Sequence, residues 1–80
     1  NNVTINAHHM EIQAQIHNIK QLHNKYADQW DTLSFEDMLH MSPSLTSTYR
    51  SLPYGLKIKW VKNIKMRMFR EGLLGKKMFN

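Results

Sequence analysis

The 80-residue chain contains no cysteine, which excludes disulfide bonds and thiolate metal sites as sources of stability. It has only two prolines and three glycines, and no segment alternates apolar and polar residues as a half-buried strand does. No apolar run approaches the roughly 20 residues that span a bilayer, so we expect no membrane association. The sequence therefore predicts an all-α protein of at most one small domain.

The small size of the chain indicates that it needs a partner. A domain of this length has a marginal core, and natural examples add disulfides, a metal or oligomerisation. Because cysteine is absent, oligomerisation is the expected solution. The chain begins without Met and shows no signal-peptide pattern, so we expect it to be a fragment of a larger protein.

Charge is distributed unevenly along the chain. The net charge is +5, yet residues 1–49 carry a net charge of −3 and residues 50–80 a net charge of +8. A basic C-terminal half is typical of proteins that bind nucleic acid or acidic proteins. The same asymmetry also favours head-to-tail attraction between copies of the chain.

The amino-terminal part predicts a long amphipathic helix with a coiled-coil-like seam, assigned to residues 5–31, and its helical core runs from about residue 7 to residue 30. One seam position recurs every seven residues at Ile5, Ile12, Ile19 and Tyr26. The other holds Asn2, His9, Ile16, His23 and Trp30. This seam predicts self-association, and the alternative is an ordinary amphipathic helix that packs against its own domain. We interpret His9 and His23 as polar positions that set the register, and we predict no metal site.

Two short helices are predicted next, each by a serine cap. Ser34 precedes an acidic turn with Asp37 three residues later, which is the arrangement of an approximate capping box. Ser42 precedes Pro43, and proline is favoured at the first position of a helix. The apolar side chains of these two helices are Phe35, Met38, Leu39, Leu45 and Tyr49.

A basic amphipathic helix is predicted after the Leu52-Pro53 turn, over residues 56–70. Its apolar stripe comprises Leu56, Trp60, Val61, Ile64 and Met68. Gly72 is the expected stop, because glycine readily adopts the left-handed conformation that ends many helices. Residues 73–80 show no further start signal, and they predict a basic, flexible tail with Lys76 and Lys77 exposed.

No constellation typical of catalysis occurs in the sequence. There is no glycine-rich phosphate loop and no nucleophile elbow, and a few short helices leave little room for a site that excludes water. We therefore predict a protein that is not an enzyme and uses no cofactor.

The basic helix has an alternative interpretation as a DNA-binding element. Its candidate contacts to nucleic acid or to an acidic partner are Lys59, Lys62, Asn63, Lys65, Arg67 and Arg70. The segment around Trp60 and Asn63 resembles the recognition helix of homeodomains, which implies a core role for Trp60 and base reading by Asn63. It differs from that family at Ile64, where a basic residue is usual.

Residues 32–72 resemble the BESS motif of insect chromatin and transcription factors more closely. The shared features are an acidic-aromatic start, a Ser-Pro segment, a Leu-Pro turn and a basic helix at residues 56–69. The matching segments are Phe35-Glu36-Asp37-Met38-Leu39, Met41-Ser42-Pro43-Ser44-Leu45 and Leu52-Pro53. The chain differs at Met41, in its Thr46-Ser47-Thr48 insertion and at Trp60. The resemblance implies a nuclear module that binds itself or other chromatin-associated proteins.

These patterns together predict a protein–protein interaction and homo-oligomerisation module, a dimer or higher oligomer, from a nuclear chromatin or transcription factor. One alternative is a DNA-binding module that uses residues 56–70, or a module that binds nucleic acid only weakly. The other is a monomeric adaptor that binds a helix of another protein. Burial of apolar and aromatic side chains between chains would carry the association. The predicted interface residues are Ile12, Ile16, Ile19, Tyr26, Trp30, Phe35, Met38, Leu39, Leu45, Tyr49, Leu56, Trp60, Val61, Ile64 and Met68.

Overall fold

A computed structural model describes residues 2–79, with side chains from residue 10 onward, and within this range it contains helices and no strand. The all-α prediction is thereby confirmed. The α-helices are α1 (Asn2–Lys25), α2 (Phe35–His40), α3 (Pro43–Ser51) and α4 (Tyr54–Arg70), and the 3₁₀ helices are Ala27–Thr32 and Lys76–Met78. The predicted seam side chains of Asn2, Ile5 and His9, and residue Asn80 of the predicted tail, lie outside what is described.

The core is a single cluster to which every helix contributes. α1 packs against α4, α2 against α3, and the two 3₁₀ helices against each other. The buried apolar side chains are Ile12, Ile16, Ile19, Trp30, Phe35, Met38, Leu39, Leu45, Trp60, Ile64, Met68, Leu73 and Met78. Because Ile12, Ile16 and Ile19 lie on one face of α1, the seam side of this helix faces the chain's own core.

A polar contact accompanies the packing of α1 on α3. The buried Gln15 amide donates to Thr48 Oγ1 at 3.1 Å, and its oxygen accepts from Asn18 Nδ2 at 3.3 Å. An amide that is buried next to apolar residues needs such partners, since an unmet hydrogen bond there is costly. The pair therefore specifies how α1 is rotated on α3.

The first helix ends earlier than the seam spacing predicts. The spacing extends the helix to Trp30, whereas α1 ends at Lys25 and the chain continues as a 3₁₀ helix. In this tighter helix, the Trp30 indole N–H donates to the carbonyl oxygen of Leu73 at 2.6 Å, and His23 meets the ring edge-on at 5.3 Å between centroids. A buried indole N–H requires an acceptor, and here the acceptor is 43 residues away.

The serine caps predicted for α2 and α3 are confirmed. Ser34 Oγ accepts from the Asp37 amide at 3.0 Å, and Asp37 Oδ2 accepts from the Ser34 amide at 3.0 Å, which completes the capping box. The hydrogen bond from the Ser34 backbone, followed by that of its side chain, lowers the pKa of Asp37 from its ordinary 3.8. Ser42 Oγ accepts from the Leu45 amide at 3.2 Å, with Pro43 at the first helical position.

The glycine after α4 turns the chain back towards the core. Gly72 adopts φ = 70°, its amide donates to Phe69 O at 3.2 Å, and the Leu73 amide donates to Met68 O at 2.8 Å. These two bonds form a Schellman motif, in which glycine is favoured because it has no Cβ to clash. The expected stop at Gly72 is confirmed.

The prediction of a flexible tail at residues 73–80 is wrong for the residues described. Leu73 and Met78 are buried, with Met78 completely inaccessible, and the Lys76 amide donates to Asp31 Oδ1 at 3.2 Å. Gly75 lies so close to the first 3₁₀ helix that an added Cβ would stand 2.8 Å from Trp30 O. The segment packs against the first 3₁₀ helix, which is a contact between residues distant in the sequence that no local start signal indicates. Lys76 and Lys77 are exposed, as expected.

An ion pair joins α1 to the end of α4. Lys20 Nζ lies 2.6 Å from Glu71 Oε1, and Arg67 Nη2 lies 3.8 Å from Glu71 Oε2. The hydrogen bond from Lys20, with a smaller contribution from Arg67, lowers the pKa of Glu71 from its ordinary 4.5. The pair is exposed enough that its main role is to orient α1 rather than to stabilise the core.

Candidate interaction surface

Most of the predicted interface residues lie inside the chain's own core. Tyr26, Tyr49 and Val61 are half-buried, and Leu56 is the one member that is exposed. The remaining members are buried: Ile12, Ile16, Ile19, Trp30, Phe35, Met38, Leu39, Leu45, Trp60, Ile64 and Met68. Most of the predicted interface residues are therefore inaccessible to a partner of the folded chain.

Among the described side chains, seven large hydrophobic ones remain exposed, and most belong to α4 or lie next to it. They are Met10, Tyr54, Leu56, Ile58, Met66, Phe69 and Phe79. Tyr54 is 82% exposed and Phe69 66% exposed. The sequence carries a signal for part of this set, because Ile58, Val61 and Phe69 follow helical spacing and form a second apolar stripe beside the one that faces the core.

This second stripe borders a shallow depression, which we call the α4 groove. Its lining residues are Tyr49, Lys57, Ile58, Val61, Lys62, Lys65 and Phe79. At its carboxyl-terminal end, Phe79 meets Phe69 edge-on, with ring centroids 6.4 Å apart. The packed C-terminal segment thus supplies one wall of the groove. The sequence predicts a flexible tail there, and so it does not predict the groove.

The rim of the α4 groove is cationic. Lys57 Nζ lies 5.4 Å from the centroid of the Tyr49 ring, and Lys65 Nζ lies 5.2 Å from that of Phe35. These distances are typical of cation–π contacts, and both lysines are half-buried with their aliphatic stems along the apolar surface. No carboxylate lines the groove among the residues described, and Glu36 lies in a separate depression beyond Tyr49.

The candidate nucleic-acid contacts divide into two groups. Lys59, Lys62, Asn63 and Arg70 are exposed. Lys65 is half-buried over the Phe35 ring, and Arg67 is half-buried beside Glu71. The four exposed residues form a basic strip, which includes the Asn63 side-chain amide, on the side of α4 that faces away from the core.

The two tryptophans differ in how their indole N–H groups are satisfied. Trp30 donates to a carbonyl, whereas the Trp60 indole N–H is buried without an acceptor among the described residues. The Trp60 ring packs against Tyr49 with centroids 5.8 Å apart. The buried Trp60 ring is thus in contact with the groove residue Tyr49.

Two kinds of site are not found in the part of the chain that the structure covers. No three histidine or carboxylate side chains within it come together as metal ligands would. None of its helices is both long and apolar enough to traverse a bilayer. No family model matches the chain, and neither does any curated protein or solved structure.

Proposed function

We propose that this chain is a protein–protein interaction module that also associates with itself, as a dimer or higher oligomer. The observation that supports the proposal is the set of large hydrophobic side chains left exposed, including Tyr54, Ile58, Phe69 and Phe79. Ile58 and Phe79 line the α4 groove, and Phe69 contacts Phe79. Exposed apolar patches mark interaction sites in soluble proteins. A chain of 80 residues also gains stability from a partner that covers such surface.

In this proposal, self-association uses a long, coiled-coil-like N-terminal helix. Its heptad seam meets the chain's own core through Ile12, Ile16 and Ile19. In the sequence, the same seam continues ahead of Ile12 through His9 and Ile5. A second copy would pair along these positions, with His9 as a polar residue that sets the register.

Sedimentation equilibrium of the full chain tests self-association. The wild-type chain should exceed its monomer mass of 9.5 kDa at micromolar concentrations. Ile5→Glu should shift it to the monomer, because a charge in an apolar seam is costly. Met10→Glu is the matched control, since Met10 is exposed and lies on the opposite side of α1 from Ile12. A wild-type chain that remains monomeric at high micromolar concentration would refute self-association.

The partners in this proposal are other chromatin-associated proteins in the nucleus. Support comes from the BESS-like order of segments, in which Ser34, Ser42 and Pro53 each precede a helix. Fluorescence microscopy of the tagged full-length protein tests the location. Exclusion of the protein from the nucleus would contradict this part of the proposal without affecting self-association.

A second candidate function is DNA binding by the basic C-terminal helix. The observation that favours it is the exposure of Lys59, Asn63 and Arg70 together on the outer side of α4. Fluorescence anisotropy with duplex DNA tests it at several salt concentrations. Selective binding that Asn63→Ala weakens would support base reading, whereas weak binding that disappears with salt would indicate general attraction to phosphates.

A further inference from the structure

We infer that the α4 groove binds an acidic amphipathic helix of a different protein. This inference rests on the proposed role in protein–protein interaction, but it does not depend on self-association. It names the class of partner: a helix with an apolar stripe and with carboxylates on the flanks of that stripe. Three features of the groove lead to it.

The first feature is the shape and chemistry of the floor. Ile58 and Val61 of α4 line the groove together with Tyr49 and Phe79. Phe69, which contacts Phe79, lies on the same side of α4 as Ile58, about three turns further along. α4 has 17 residues, which corresponds to a length of about 25 Å. The stripe from Ile58 to Phe69 covers about 17 Å of this length, and it is complementary to about three turns of a second helix.

The second feature is the charge of the rim. Lys57, Lys62 and Lys65 surround the floor, and no described carboxylate lines it. A helix with glutamates beside its apolar stripe would bring opposite charges to Lys57 and Lys62, which raises the association rate and disfavours basic or neutral competitors.

The charge also argues against a second copy as the occupant. In a two-fold contact, each surface meets the same surface of its partner. Such a contact would bring the lysine-bearing rim of one copy, including Lys62, against the same rim of the other, and like charges at close range are repulsive. The exposed carboxylates of Glu36 and Asp37 offer no alternative, because the apolar residues of their helix, such as Met38, are buried.

The third feature is that part of the rim is already held in place. Lys57 is over the Tyr49 ring and Lys65 over the Phe35 ring. Side chains that are ordered before binding lose less conformational entropy when a partner arrives. The cationic rim is therefore partly arranged before the partner binds.

The test uses the full chain and two designed helical peptides of about four turns. Both carry leucines on one stripe; the first has glutamates on the flanks of the stripe, and the second has glutamines there. Fluorescence anisotropy of labelled peptide gives each dissociation constant. We expect the glutamine peptide to bind at least about fivefold more weakly, because several exposed ion pairs each add a modest contribution. Added salt should weaken binding of the glutamate peptide alone.

Matched variants assign the binding to the groove. Lys62→Glu should weaken binding of the glutamate peptide at least about fivefold, since it replaces an attraction by a repulsion. Lys59→Glu changes the same charge outside the groove and should have little effect. Ile58→Ala should weaken binding of both peptides. Met66 is an exposed residue of the same helix outside the groove, so Met66→Ala should leave the binding of both peptides unchanged.

Each remaining outcome overturns the inference in a distinguishable way. Equal binding of both peptides, unaffected by Lys62→Glu, would show that charge does not select the partner. Absence of peptide binding by a chain that still self-associates would refute the inference and leave the proposed function intact. If Ile58→Ala dissociates oligomers of the chain itself, the occupant of the groove is a second copy. The inference of an acidic helix from a different protein would then be wrong.

Discussion

Met78 is the residue whose replacement best distinguishes a packed C-terminal segment from a flexible tail. Its side chain is fully buried, although only two residues of the sequence follow it. Met78→Ala removes most of that side chain and leaves a cavity beside the first 3₁₀ helix. If residues 73–80 were a solvated tail, the same change would have no effect on stability.

The expected loss is large for a chain of this size. Truncation of a fully buried methionine to alanine costs about 2–5 kcal/mol. The total free energy of unfolding for an 80-residue domain is on the order of 4–12 kcal/mol. Because each kcal/mol changes the Tm of a small domain by about 4–8 °C, a loss of about 2 kcal/mol lowers the Tm by about 8–16 °C.

Thermal unfolding followed by far-ultraviolet circular dichroism measures this change. Lys77→Ala is the matched control, because Lys77 is exposed in the same 3₁₀ helix and its truncation should leave Tm nearly unchanged. Tryptophan fluorescence offers a second readout, since Trp30 loses part of its cover if the segment detaches. A Tm for Met78→Ala within about 2 °C of the wild-type value would mean that Met78 is not buried and that the C-terminal segment does not pack on the core.

Three further predictions concern hydrogen bonds and charge. Trp30→Phe should lower stability by more than Trp60→Phe, because the first change strands a buried carbonyl whereas the second removes a buried N–H that has no acceptor; equal unfolding midpoints in denaturant would contradict this. Ser42→Ala should cost about 1 kcal/mol by loss of a helix cap, which urea unfolding detects, and Ser42→Gly should recover most of it. Because the pKa of Glu71 lies below its ordinary 4.5 in the folded chain, its pair with Lys20 stabilises the fold above about pH 4.5 and loses this effect as the pH falls through the folded value. The Tm of Glu71→Gln should therefore fall less steeply on acidification than that of the wild type, and parallel curves would show that the pair contributes nothing.

The apolar periodicities of α1 and α4 predict which residues share a face of each helix, but they do not predict what that face contacts. The spacing of Ile12, Ile16 and Ile19 identifies one apolar face correctly, but periodicity alone does not say whether the face meets the same chain or another copy. Likewise, Trp60 and Ile64 form a stripe that the structure buries, while Ile58 belongs to a neighbouring stripe that it leaves exposed. Which of two adjacent stripes faces inward depends on how α1 and α4 pack against each other.

The α4 groove could not be predicted from the sequence, for a different reason. Two of its lining residues, Tyr49 and Phe79, are 30 positions apart in the sequence and belong to the segments before and after α4. Phe79 reaches the groove only because Gly72 turns the chain and Met78 anchors the segment that follows. A prediction of this surface would require knowing that the last residues pack, and no local pattern in them says so.

Local rules therefore account for where the helices of the second half begin and end. The caps at Ser34 and Ser42 and the turn at Gly72 each satisfy backbone groups within a few residues, so the sequence alone specifies them. Contacts between distant residues account for the rest: the early end of α1, the packed C-terminal segment and the stripe of α4 that stays exposed. These depend on which buried groups find partners across the chain, as Trp30 does at Leu73, and that is settled only when all the helices are assembled.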